Sequence, residues 1–201
     1  MDKRFKFSGS IFLEMDIVVL AAGLGKRMGS PGQSKVLHKV AGQPILHRIC
    51  FCAQKLQPQK IVVVYHQQLA AMQAAVADIP NIAWAKQSTP KGTGDAVLAA
   101  LPYCGEQQVL VICGDMPMLQ ATTLQQLWQP AYQNTLTVIS MQLAQPQDYG
   151  RIVRNEAGQI QAIVEEKDAT ALEKNINEVN SGILSVPARF LREALPKLND
   201  N

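Results

Sequence analysis

Ile17-Val18-Val19-Leu20-Ala21-Ala22-Gly23-Leu24-Gly25-Lys26-Arg27-Met28 is the stretch on which the fold turns. Its first four residues are apolar and three of them are β-branched. Such a run reads as a strand buried on both faces, as in a parallel sheet covered by helices. Runs of the same kind recur at Ile61-Val62-Val63-Val64-Tyr65, Val109-Leu110-Val111-Ile112 and Leu136-Thr137-Val138-Ile139. Between them, residues 44–56, 68–77, 94–101 and 123–128 carry apolar positions at helical spacing. Strands alternating with helices predict an α/β domain with a doubly wound, mainly parallel sheet.

The pattern changes after Tyr149. Arg151-Ile152-Val153-Arg154 and residues 159–165 flank the turn signal Asn155-Glu156-Ala157-Gly158, which predicts a hairpin. A short helical stretch over 169–174, a strand over 182–186 and a last helix over 188–195 follow. This half is expected to form a small β-rich lobe beside the parallel sheet. The sequence carries no internal repeat, and in particular no hexapeptide β-helix repeat.

The chain has 201 residues, 47% apolar and 17% charged, which suits one globular domain with a sizeable core. Residues 1–14 read as an N-terminal tail and 15–201 as the domain. The net charge of +3 is mild and no basic run stands out, so nucleic acid is not expected as a partner. Lys3, Arg4 and Lys6 ahead of Ile11-Phe12-Leu13 resemble the start of a signal peptide, but Glu14 and Asp16 interrupt the apolar run. No membrane span is expected either, and the predicted location is cytoplasmic. Cys50, Cys52, Cys104 and Cys113 match neither a zinc spacing nor a disulfide framework and read as free buried thiols. His38, His47 and His66 have no metal-cluster spacing, and Trp84 and Trp128 read as packing residues.

Ligands of such sheets sit beyond the C-terminal strand ends, where the loop after Leu20 lies. Gly23 and Gly25 let backbone N–H groups approach an anion. Arg27 can fork onto phosphate oxygens, and Lys35 adds a compact positive charge. Two common phosphate motifs fail: the P-loop needs glycine where Leu20 stands, and the dinucleotide fingerprint needs it where Met28 stands. By itself the loop also suits a plain strand-to-helix turn with Arg27 in solvent.

Further segments narrow the reading. They are Gln87 with Lys91-Gly92-Thr93-Gly94-Asp95-Ala96, Gly114-Asp115-Met116-Pro117, Tyr149-Gly150-Arg151-Ile152, Ile163-Val164-Glu165-Glu166-Lys167-Asp168-Ala169 and Asn180-Ser181-Gly182-Ile183. With L-A-A-G-x-G-x-R-M and the lysine beyond it, this ordered set resembles the nucleotide-diphospho-sugar transferases of Rossmann-like fold. Within them it resembles the N-terminal uridylyltransferase (pyrophosphorylase) half of the bifunctional GlmU family, over about residues 16–198.

That resemblance implies the joining of UTP and N-acetylglucosamine 1-phosphate to give UDP-N-acetylglucosamine and pyrophosphate, a cell-envelope precursor reaction, with Mg²⁺ as cofactor. It implies Arg27 and Lys35 as catalytic phosphate binders and Asp115 as the metal ligand. It places Leu20, Ala21, Ala22, Gly23, Gln87, Gly92 and Thr93 at the nucleotide, and Gly150, Glu165 and Asn180 at the sugar. An amide such as Gln87 can pair with a donor–acceptor base edge, and a carboxylate and an amide suit sugar hydroxyls and an N-acetyl group. Each residue also has a plain structural reading: Asp115 as a helix cap, Gln87 as a loop amide, Gly150 as a turn glycine, Glu165 as hairpin surface charge and Asn180 as a strand-end amide. Lys167 reads as surface charge. Another nucleotidyltransferase, such as a molybdenum-cofactor guanylyltransferase or a cytidylyltransferase, and a non-catalytic nucleotide-binding remnant are the competing readings.

Three departures from the family pattern stand out. Gly32-Gln33-Ser34 precede Lys35 where the family has Leu-Pro, Tyr65-His66-Gln67-Gln68 lacks the usual glycines, and Cys113 replaces an aromatic residue before Gly-Asp. By the resemblance, the family's domain continues past the position of Asn201, with an asparagine as a further Mg²⁺ ligand and then a trimerising acetyltransferase β-helix. The expectation is therefore a truncated domain without acetyltransferase activity. Its uridylyltransferase activity and oligomeric state are left open.

Overall fold

The computed structural model describes residues 15–23, 34–89, 91–127, 129 and 134–197. The expected tail, Gly25, Arg27, Met28 and Trp128 lie outside the described residues.

The opening run forms strand β1 (Met15–Leu20), and the next two form β4 (Lys60–Tyr65) and β6 (Gln108–Cys113). A further parallel strand, β5 (Ile82–Lys86), was not legible as a separate apolar run, because Lys86 and the small residues Ala83 and Ala85 dilute it. These four pair in parallel in the order β5-β4-β1-β6.

Alternation along β1 explains its unbroken apolar character. Ile17 and Val19 enter one core with Ile61, Val63, Leu110 and Ile112, whereas Val18 enters a second core with Val62, Val64, Val109 and Val111. Helices α1 (Ile45–Gln54), α2 (Leu69–Ala75) and α4 (Ala121–Gln126) cover the first face through Ile49, Met72 and Leu124. Helices α3 (Thr93–Ala100) and α5 (Ala188–Ala194) cover the second through Val97 and Leu191. Burying each Val, Leu or Ile side chain contributes about 1.5–3 kcal/mol, so two cores sharing one sheet dominate the stability. A small hairpin, β2 (Lys39–Val40) and β3 (Gln43–Pro44), turns through Ala41 and Gly42, both at positive φ, and leads into α1.

The second half extends the same sheet. Strand β10 (Glu178–Pro187) runs antiparallel to β6 and carries β7 (Thr137–Gln142) along its length and β8 (Arg151–Arg154) beside Val179. β8 pairs in turn with β9 (Ile160–Val164), completing the expected hairpin, with Gly158 at φ +77 in its turn. β7 was expected to be buried on both faces; it is only half-buried, since it belongs to this antiparallel part. The helical stretch expected over 169–174 is a single tight turn, Glu173–Asn175. No helix among the described residues is long and apolar enough to cross a membrane.

Candidate active site

The ends of β1 and β6 are joined closely. Gly114 N donates to Leu20 O at 2.9 Å, and a Cβ on Gly114 would stand 2.5 Å from that oxygen. Only glycine permits this approach, and it delivers Asp115 beside the first loop. On the other side of β1, Ala21 N donates to Val64 O at 2.9 Å. Leu20 is half-buried, Ala21 and Ala22 are buried, and Gly23 is exposed with open space where a Cβ would stand. Of these four, Gly23 alone is exposed.

Lys35 opens the tight turn Lys35–Leu37, and its Nζ lies 2.8 Å from Asp115 Oδ2. The candidate phosphate binder and the candidate metal ligand, far apart in sequence, thus meet. Their side chains are 38% and 44% exposed, so both remain open to exchange partners. Among the described residues no three His, Cys, Asp or Glu side chains converge as a ready-made metal site. One exposed carboxylate is still a sound Mg²⁺ anchor, because this ion commonly takes one or two carboxylates together with substrate phosphates.

Gln87 follows β5, and its backbone N donates to Tyr65 O at 2.8 Å. Its side chain is buried, 3% exposed. Its Nε2 donates to Gly92 O at 3.1 Å and to Asp95 Oδ2 at 2.7 Å. Both amide protons are thus engaged, which corrects the expectation that Gln87 offers a base both a donor and an acceptor. His66, given no role from sequence, supports the same loop with Nδ1 donating to Gln87 O at 2.8 Å. Gly92, at φ +123, bends the chain into α3, and Gly92 and Thr93 lie exposed at its start.

The three candidate sugar residues also converge. Gly150 O accepts from Asn180 N at 2.8 Å, and a Cβ on Gly150 would stand 3.2 Å from Glu165 Oε1. A larger residue at Gly150 would press on the Ile163 and Glu165 side chains and need them to shift by a few tenths of an ångström. At Asn180 the β10–β7 register shifts: the five residues Asn180 to Leu184 of β10 span the three residues Ser140 to Val138 of β7. Such a bulge re-aims side chains. Asn180 Oδ1 accepts from Gly182 N at 3.0 Å, with Gly182 at φ +78.

Sequence reasoning treated Cys113 as packing. The structure places its thiol at the junction of the two halves, where Sγ donates to Gly182 O at 3.7 Å. Burial, together with nearby Asp115, pushes this thiol above the usual cysteine range, so it is a contact rather than a nucleophile. Cys50, Cys52 and Cys104 are buried and free, with the Cys50 thiol pushed up to about 12 by burial. Arg151 was likewise passed over. It is buried, donates to Tyr149 O, and pairs with Glu166 at 2.5 Å, fixing the segment that carries Gly150. Arg48 Nε holds the loop after Asp115 through Pro117 O at 3.1 Å. Trp84 packs edge-on against Tyr65 against the first core, as expected of a packing residue.

The Lys35–Asp115 pair stands beyond the C-terminal ends of β1 and β6, where the strand order reverses, which is where open α/β sheets take their ligands. The profile of the family described as MobA-like NTP transferase domain matches residues 17–179. The chain belongs to this family of nucleotidyltransferases.

Among its relatives, the bifunctional protein GlmU of Dechloromonas aromatica is 46% identical over 189 residues, covering 93% of this chain and 41% of the relative. That of Alcanivorax borkumensis is 42% identical over 189 residues, covering 94% and 41%. The chain thus spans about two-fifths of the length of these relatives. Two solved structures share the fold at 15% identity. A putative glucose-1-phosphate thymidylyltransferase from Bacillus anthracis has a TM-score of 0.75, over 92% of this chain and 76% of that one. A UDP-glucose pyrophosphorylase complexed with UDP-glucose has 0.71, over 92% and 80%.

Proposed function

We propose that this chain transfers a uridylyl group from UTP to N-acetylglucosamine 1-phosphate, releasing pyrophosphate. The observation that carries the proposal is the meeting of Lys35 and Asp115 at 2.8 Å, joined through Cys113 and Gly182 to the Gly150, Glu165 and Asn180 cluster. Similarity to GlmU proteins across nearly the whole chain supports the choice of substrates.

The nucleophile is a phosphate oxygen, already anionic, so the reaction needs no general base. The difficulty is to bring two anions together in line and to stabilise the departing pyrophosphate. The exposed backbone at Gly23 approaches the nucleotide, and Lys35 leaves Asp115 to neutralise phosphate oxygens. Arg27 is assigned to the same anions. Asp115 would hold Mg²⁺, which when bound neutralises charge on the phosphates. Glu165 and the bulged Asn180 take the sugar hydroxyls and the N-acetyl group.

Coupled detection of pyrophosphate from UTP, N-acetylglucosamine 1-phosphate and Mg²⁺ tests this reading. No pyrophosphate from a folded chain that binds UTP tightly would favour a nucleotide-binding module instead. The MobA-like character of the matching profile keeps a guanylyltransferase as the second reading. Thermal shifts with UTP, CTP, GTP and ATP separate the two, since a bound ligand stabilises the native state by mass action.

A further inference from the structure

A primary amide normally offers two donors and an acceptor and can turn over to suit its partner. Gln87 cannot. Its Nε2 is fixed between two acceptors, Gly92 O at 3.1 Å and Asp95 Oδ2 at 2.7 Å, and neither can donate in return. Turning the amide over would set Oε1 against a carboxylate and a carbonyl, two repulsive contacts in a side chain that is 3% exposed. Among the described residues only the nitrogen of this amide is engaged, and no hydrogen bond reaches Oε1. The side-chain polar atom of Gln87 left for a ligand is therefore an acceptor. Asp95 lies in the first turn of α3, three residues beyond Gly92, so one short segment supplies both anchors.

We propose that Asp95 is a specificity-determining residue for the base. By holding the Gln87 nitrogen inward it presents Oε1 as an obligate acceptor, which, set against the N3 position of a pyrimidine, selects a base that carries a ring N–H there. Uracil has one at N3, whereas cytosine has an unprotonated, accepting nitrogen there and meets repulsion. Guanine and thymine also carry a ring N–H, so UTP against CTP is the comparison that isolates Asp95. Asp95 acts through Gln87 and touches no substrate, and the inference rests on the assignment of Gln87 to the base.

The experiment measures dissociation constants for UTP and CTP by calorimetry with Mg²⁺, in the unmodified chain, Asp95→Ala, Asp95→Asn and Gln87→Ala. In parallel, the Gln87 side-chain NH₂ resonances are followed by ¹⁵N NMR without nucleotide. Asp95→Ala releases the amide, so the UTP:CTP preference is expected to fall about tenfold or more, roughly one hydrogen bond of discrimination. Asp95→Asn retains an accepting oxygen and is expected to keep the preference within about threefold, because the neutral bond is weaker but similarly placed. The Gln87 NH₂ protons are expected to exchange slowly in the unmodified chain and quickly in Asp95→Ala. Equal weakening of UTP and CTP in Asp95→Ala, an unchanged ratio, or equally protected amide protons overturns the proposal. If Gln87→Ala keeps its preference, the base assignment itself fails. If Gln87→Ala loses it while Asp95→Ala keeps it, only the role of Asp95 fails.

Discussion

Replacing Lys35 by Met separates chemistry from folding at this site. The Lys35–Asp115 pair is 2.8 Å long, but its side chains are 38% and 44% exposed. Solvent screens such a pair, and its contribution to stability is about 0.2–1 kcal/mol. For a domain of this size 1 kcal/mol corresponds to roughly 2–4 °C, so the variant should melt within about 4 °C of the parent. Methionine keeps most of the apolar stem packed. The effect on turnover should be far larger, because an ammonium positioned on developing phosphate charge resembles an oxyanion-hole donor, worth about 10²–10³ in kcat. Lys35→Arg should restore only part of the rate, since a planar fork does not replace a compact charge. The assay is coupled pyrophosphate release at saturating Mg²⁺, with melting followed by circular dichroism. Unchanged kcat/KM in a folded Lys35→Met chain would refute the assignment. A melting drop above about 10 °C, well beyond an exposed pair of this kind, would show that Lys35 is structural instead.

Other substitutions test the remaining geometry. Gly182→Ala places a Cβ 2.9 Å from Cys113 Sγ at a φ of +78, and should lower stability by about 1–3 kcal/mol in urea unfolding. Adding Cys113→Ala should recover the steric part of that loss and leave the backbone part. Gly150→Ala brings a Cβ within 3.2 Å of Glu165 Oε1, so KM for the sugar phosphate should rise several-fold more than KM for UTP in steady-state kinetics. Equal changes in the two would contradict the assignment of Glu165 to the sugar. Glu178 is held well below the usual glutamate range, at about 2, by hydrogen bonds from Arg154 and then Ser140. Its folded value is depressed, so its contribution to stability is present above the unfolded value near 4.3 and is lost as pH falls towards about 2. Glu178→Gln should therefore flatten urea stability against pH between about 4.3 and 2; an unchanged acid limb would count against this pair.

Several features were readable from residues alone because their causes are local. Ile17, Val18 and Val19 cannot all be buried in a one-sided strand, so a sheet covered on both faces followed directly. Asn155 and Gly158 marked a turn through their own backbone preferences, and Ala21, Ala22 and Gly23 marked the end of the first strand. The order of the later segments pointed to nucleotide and sugar phosphate through a family resemblance. Tertiary structure decided what depends on distant partners. The Lys35–Asp115 pair joins residues 80 apart in sequence, and the Cys113–Gly182 contact joins residues 69 apart. The half-buried state of β7 came from its pairing with β10, which no local pattern encodes. Gln87 shows the division most clearly: its amide chemistry is written in its residue type, but which atom it offers a ligand depends on Gly92 and Asp95 occupying its nitrogen, and only the folded chain brings them there.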